Sequence, residues 1–341
     1  MDTALDIEQP DALRRYLQET GRVPATARVR CTPLAGGVSN RTVRVAWDGG
    51  PAWVIKQALP RLRVKDDWFA DPRRVHREAL GLRWLGRLAP PGHLPGFVFE
   101  DETHHLLAME AVPEPHENWK SRLLTGRLDA AHVRQFAALL ATLHRRSHEQ
   151  AAATAAAFED RSFFETLRLE PYYRFAAHRQ PAAAPVLEDL MAETLATRLT
   201  VVHGDYSPKN ILVYQERLIL LDHEVIHFGD PAFDLGFALT HLLSKAHHLA
   251  AHRAAFLAAA SDFWRTYGAT VGPELLTPAL EARAVRHVLG CLLARVDGRS
   301  PLEYLTEPER ARQRAVVIGC LASPPARIAE LVTEFGQRLE A

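Results

Sequence analysis

The sequence is poor in the features that would mark a special class of protein. Its 341 residues hold only three cysteines, Cys31, Cys291 and Cys320, far apart and in no paired spacing. That excludes a disulfide scaffold and leaves the thiols as apolar fillers in a reducing compartment. No uninterrupted apolar run reaches bilayer-spanning length, and the opening MDTALDIEQPDALRRYL is acidic and mixed, without an apolar signal core. A cytoplasmic protein with no membrane partner is expected. Net charge is also missing, since Lys+Arg and Asp+Glu both number 41. This argues against a nucleic-acid partner gripped by overall positive charge. There is no repeat of fixed period.

What remains is ordinary globular composition, 47% hydrophobic and 24% charged. The length exceeds what one core usually supports, so two lobes are expected. Residues 11–20 read as a short amphipathic helix ended by Gly21. ARVRCTPLAGGVSNRTVRVAW then reads as strand, Gly-bearing turn, strand, and AWVIKQAL as a third strand. DPRRVHREALGLRWLGRL spaces Val75, Ala79, Leu82, Leu85 and Leu88 as a helix, with Asp71 as N-cap and Pro72 in the first turn. GFVFEDETHHLLAMEAV reads as a hairpin. The front lobe, 1–112, is thus an antiparallel sheet with a helix.

The Pro-rich PEPHEN at 113–118 marks the boundary of a mostly helical lobe, 113–341. Three of its helices announce their starts: Asp129 before an apolar stripe, Thr277 followed by Pro278, and a Thr306–Glu309 capping box. The Ala-rich 151–157 fits either helix or connection. His247 and His248 read as a solvated helix face.

One stretch of this half is strand-like, 199–226, and it carries a polar loop, VVHGDYSPKNILV. Asp205 and Asn210 bracket the loop. ILVY and LILLD form a hairpin whose end delivers Asp222 and Glu224, on one side if the strand continues that far. Carboxylates with an amide oxygen are hard ligands suited to Mg²⁺ shared with phosphates. A carboxylate to orient a hydroxyl and a metal to neutralise phosphate charge are what phosphoryl transfer requires.

HGDYSPKN resembles the catalytic loop of the aminoglycoside phosphotransferase and choline kinase-like family, relatives of the protein kinases. LLDHE is similar to that family's metal segment, and GDPAFDLGFAL to the segment that follows it. The resemblance implies an α+β, bilobal protein kinase-like fold and an ATP- or GTP-dependent bacterial small-molecule phosphotransferase, monomeric or homodimeric. It implies Asp205 as catalytic base, with Asn210, Asp222 and Glu224 on Mg²⁺. In the front lobe, Gly36, Gly37, Ser39 and Asn40 resemble the family's phosphate loop. Lys56 in WVIK and Glu78 in HREAL resemble the pair that holds an ammonium over the phosphates. Met109, Glu110 and Ala111 lie in a segment resembling the adenine-binding linker strand.

Other residues stay open. His203 is read as holding the loop by hydrogen bonding, and Asp230 and Asp234 as structural, Asp234 supporting the loop backbone. Lys209 is a solvated lysine or a γ-phosphate contact. Asp297 lines an acceptor pocket or ends a helix. The acceptor is a hydroxyl of a small molecule. NWK…LL–G––D after the linker resembles methylthioribose kinases, although Asn210 departs from their loop. An antibiotic kinase for aminoglycosides or macrolides is the other substrate class, and an inactive nucleotide-binding module the other kind of protein. The Arg- and His-rich back half, lacking an acidic run, leans towards a neutral or anionic metabolite.

Overall fold

The computed structural model describes residues 5–34, 37, 39–63 and 68–340, and these divide into two compact units. The first comprises the chain up to Arg87, Leu94–Glu114 and the short stretch Asp222–Glu224; the second comprises Leu88–His93, Pro115–Leu221 and Val225 onwards.

In the first unit, strands β1 (Val29–Pro33), β2 (Asn40–Trp47), β3 (Trp53–Ala58), β4 (Phe97–Asp101) and β5 (Leu106–Glu110) form an antiparallel sheet in the order β1-β2-β3-β5-β4. Helices α1 (Pro10–Glu19) and α2 (Arg74–Leu88) cover opposite faces. Alternation assigns the faces. Leu106 and Ala108 join Val43, Val45 and Ile55 against Leu13 and Leu17 of α1. Leu107 and Met109 join Ala58 against Val75, Ala79 and Leu82 of α2. Strand β5 therefore needs apolar residues on both faces, which is why LLAM shows no alternation. The Asp71 carboxylate accepts from the Arg73 N–H at 2.8 Å as a cap would, and α2 proper begins at Arg74, because the amides of Arg74, Val75 and His76 bond three residues back and make the first turn a tighter one.

The second unit is mostly helical. Asp129 caps Ala130–Glu149, Thr277 caps Pro278–Asp297, and Thr306 with Glu309 makes the capping box of Glu307–Ala322. The Ala-rich segment is helical, Ala151–Ala157. Glu165–Arg174 is a widened π-helix around Pro171. Short strands Thr200–Val202 and His227–Gly229 pair antiparallel, and Ile211–Tyr214 pairs with Arg217–Leu220. Pro231–His248 is buried along almost its whole length. His247 and His248 do not form a solvated face: His247 is buried with Nε2 2.9 Å from the Glu309 carbonyl, and His248 Nδ1 lies 2.8 Å from Glu309 Oε1. The packed Glu307–Ala322 helix replaces solvent there.

Candidate active site

In the first unit, alternation along β3 places Val54, Lys56 and Ala58 on the face covered by α2. Glu78 falls on the buried stripe of α2, one turn from Val75 and Leu82. The two side chains consequently meet: Lys56 Nζ lies 2.6 Å from Glu78 Oε1 and 2.9 Å from Asp222 Oδ1. Burial pushes the Glu78 carboxyl above the ordinary carboxylate range, against the pull of Lys56. Burial opposes the Lys56 ammonium, but Asp222 and Glu78 outweigh it and hold its pKa above the ordinary lysine range. Among the described residues Glu78 Oε2 has no hydrogen-bond partner.

Asp222 adopts the left-handed region at φ +70°, a conformation that costs a non-glycine residue about 1–2 kcal/mol. The preceding strand ends at Leu220. The period-two argument thus stops short of Asp222 and Glu224, and their carboxylates go to different partners. Glu224 Oε2 accepts from Arg74 Nε at 3.2 Å. Arg74 is fully buried and also donates to the carbonyls of Leu59 at 2.9 Å, Asp71 at 3.1 Å, Ala70 at 3.2 Å, and Ser39.

Of the expected phosphate loop, Gly36 lies outside the described residues. Gly37 is exposed. The Ser39 carbonyl is held by Arg74 and by the Leu59 N–H at 3.0 Å. Asn40 is buried at the start of β2, donating to Ser39 Oγ at 3.1 Å. In the linker strand Met109 is buried, while the amides of Glu110 and Ala111 donate to Gly96 and Ala52 at 2.8 and 2.9 Å.

The second unit holds the polar loop. Asp234, fully buried in the first turn of Pro231–His248, accepts from the amides of His203 at 2.7 Å and Gly204 at 2.8 Å, and lies 3.3 Å from His144 Nε2. Burial pushes its carboxyl up, but His144 and His203 outweigh this and hold it below the ordinary range. His203 Nδ1 accepts from the Asp205 N–H at 3.2 Å, so Nε2 carries the proton and donates to the Leu221 carbonyl, also at 3.2 Å. Gly204 sits at φ +76°, and a Cβ there would meet Val225 Cγ2 at 2.8 Å, so only glycine fits. Asn210 Nδ2 donates to the Asp205 carbonyl at 3.0 Å, leaving Oδ1 as acceptor. Asp230 caps the following helix and pairs with Arg283 Nε at 2.7 Å.

The Asp205 carboxylate meets a residue that no motif marks. Arg168, on the π-helix, places Nη2 2.8 Å from Asp205 Oδ2 and donates from Nε to the Gly204 carbonyl at 2.8 Å. Lys209 is exposed, its carbonyl accepting from Asn118 Nδ2 at 2.7 Å. The Asp297 carboxylate is taken by Arg314, with two contacts of 2.7 Å, and by Gln180 at 2.9 Å. Asp129, His132 and Glu216 bring ligand atoms within 4.8 Å of one another, but Asp129 is occupied in capping its helix.

The phosphotransferase enzyme family model matches residues 30–270. The chain is 27% identical over 255 residues to the methylthioribose kinase of Yersinia enterocolitica, covering 67% of this chain and 63% of that one. It thus spans 63% of the length of that relative. Among solved structures, an amicoumacin kinase in complex with AMP-PNP and Ca²⁺ has TM-score 0.59 at 12% identity, with 92% of this chain and 94% of that one covered. A choline/ethanolamine kinase family protein from Mesorhizobium loti has TM-score 0.53 at 14% identity, covering 96% and 99%. The fold is therefore the kinase-like α+β fold expected from the sequence, and the chain belongs to the phosphotransferase enzyme family.

Proposed function

We propose that this member of the phosphotransferase enzyme family transfers the γ-phosphoryl group of a nucleoside triphosphate, ATP or GTP, to a hydroxyl of a small molecule. The observation that carries this reading is the Lys56 ammonium between Glu78 at 2.6 Å and Asp222 at 2.9 Å. A buried lysine with two carboxylates is an arrangement suited to nucleotide phosphates beside a metal. The orphaned Glu78 Oε2 is the kind of buried polar atom that a ligand or its water would satisfy.

In this reading Asp205 orients the acceptor hydroxyl and receives its proton, and Lys56 serves the phosphates. Asn210 Oδ1 and the Asp222 carboxylate are the hard oxygen donors for Mg²⁺, which would neutralise charge on the phosphates. Glu224 is engaged by Arg74, and its part is to anchor the metal segment. Asp234 and His203 hold Asp205 in place. Most of the catalysis then comes from positioning and charge stabilisation.

The test is a transfer assay with Mg·ATP and a panel of hydroxylated metabolites. Methylthioribose belongs in it because of the 27% identical relative. Asp205→Asn should lower turnover by roughly 10²–10⁴-fold while keeping AMP-PNP affinity. Full turnover by that variant would remove the role given to Asp205. Nucleotide binding without transfer to any acceptor would favour the inactive module instead.

A further inference from the structure

Phe237, His241 and Lys245 recur every four residues along Pro231–His248 and so share one helix face. Lys245 is fully buried, and among the described residues its Nζ has one hydrogen bond, to the His241 carbonyl of its own helix at 3.3 Å. Among the described residues it has no carboxylate within ion-pair distance. Arg295 is nearly as buried, and among the described residues its guanidinium finds only neutral acceptors, Tyr172 Oη at 3.0 Å and the Ser300 carbonyl at 2.6 Å. The Tyr304 ring lies 5.5 Å from Lys245 Nζ and 6.0 Å from Lys120 Nζ. Lys120 pairs with Glu303, whose side chain is 64% exposed.

This cationic group is continuous with Asp205. Arg295 bonds to Tyr172, whose ring lies 5.8 Å from Arg168 Cζ, and Arg168 is 2.8 Å from Asp205. Tyr172 in turn stacks on Phe237, and Phe237 lies 5.3 Å from the His241 ring. His241 registers the whole field. After burial, the charges of Lys245, Arg295, Lys120 and Lys209 push its pKa well below the ordinary value, so its ring is neutral. Burying a cation with no counter-ion within ion-pair distance is costly, and an incoming anion would relieve that cost.

We propose that Lys245 and Arg295, with Lys120 nearer solvent, bind the oxyanion of an acidic acceptor, a hydroxylated carboxylate or phosphate ester, and so present its hydroxyl to Asp205. The inference rests on the phosphotransferase reading and names its substrate class. Lys120 exchanges Glu303 for the incoming anion, Arg295 supplies a standing opposite charge, and Lys245 takes up a proton from solvent against the bound anion.

The test is direct calorimetric titration with inorganic phosphate, glycerol 3-phosphate and glycerate. Glycerol and methylthioribose serve as neutral controls, and AMP-PNP with Mg²⁺ is present to occupy the nucleotide contacts. The anions should bind saturably and the neutral compounds more weakly. Lys245→Met and Arg295→Met should each weaken anion binding by roughly tenfold to a hundredfold, the worth of a charge-assisted contact. AMP-PNP affinity should not change, and Lys245→Arg, which restores the charge, should recover part of the anion affinity. Failure of all three anions to bind, unchanged binding in Lys245→Met, or a preference for the neutral compounds would overturn the proposal. Failure of AMP-PNP to bind would count against the phosphotransferase reading, and the anion titrations would still decide the cationic site.

Discussion

Arg168 and Asp205 form a close ion pair, Nη2 to Oδ2 at 2.8 Å, and the same guanidinium holds the Gly204 carbonyl at 2.8 Å. Both contacts fix the loop that carries the proposed base. Replacing Arg168 by Ala should lower kcat by roughly tenfold to a hundredfold through misplacement of the carboxylate. KM for ATP should stay unchanged, because the arginine's bonds to Asp205 and the Gly204 carbonyl act on the loop proposed to meet the acceptor. Arg168→Lys should recover part of the loss. Steady-state kinetics separating kcat from KM would decide the point, and a change confined to KM for ATP would contradict it.

Asp234 supports the same loop from below. Its carboxylate accepts from two backbone amides and faces His144, all fully buried. Asp234→Ala should cost about 3–5 kcal/mol, the usual penalty for breaking a buried charged network. The pKa of Asp234 is lowered in the fold, so its contribution is present above the unfolded value of about 3.9 and is lost as pH falls through the folded value. Urea unfolding of wild type and variant should therefore draw closer as pH falls below about 4 and stay furthest apart above it.

Arg74 joins five acceptors in the first unit, among them Glu224 Oε2. Arg74→Ala strands a buried carboxylate and should cost about 3–5 kcal/mol. Glu224→Gln keeps a neutral acceptor for Nε and should cost less, about 1.5–3 kcal/mol. Arg74→Lys should not restore stability, since one ammonium cannot replace a planar fork. Chemical denaturation ranks the three. If Glu224 instead binds the metal, Glu224→Gln will raise the Mg²⁺ concentration needed for activity and leave stability nearly untouched.

Lys245 gives stability an alkaline signature. Burial, then Lys120 and Arg295 against the pull of Glu303, lowers its pKa to about 7. The unfolded lysine titrates near about 10.4. Between those values the unfolded chain holds the proton and the folded chain does not, so stability rises with pH, by at most about 1.4 kcal/mol per pH unit. Lys245→Met should remove that slope and raise stability near neutrality. Equal pH slopes for wild type and variant in unfolding titrations would contradict the assignment.

Much of this was legible in the sequence because it is local. Caps at Asp129, Thr277 and Thr306 depend on a few neighbouring residues. The α2 stripe that buries Glu78 follows from 3.6-residue spacing, and the face that carries Lys56 follows from strand alternation. The division of Asp222 and Glu224 between Lys56 and Arg74 was not legible. It turns on where the strand ends and on a left-handed residue, and no short pattern encodes either.

The sequence by itself determined the family, the two kinds of unit and the order of the polar segments, because element periodicities and loop motifs are written in contiguous residues. Only the tertiary structure decided which charges are neighbours. Arg168 lies 37 positions from Asp205, and Lys245 and Arg295 lie 50 apart, yet packing of the π-helix and two long helices brings them into one network. A cation acquires its meaning from what surrounds it once water has gone, and burial is a property of the folded chain.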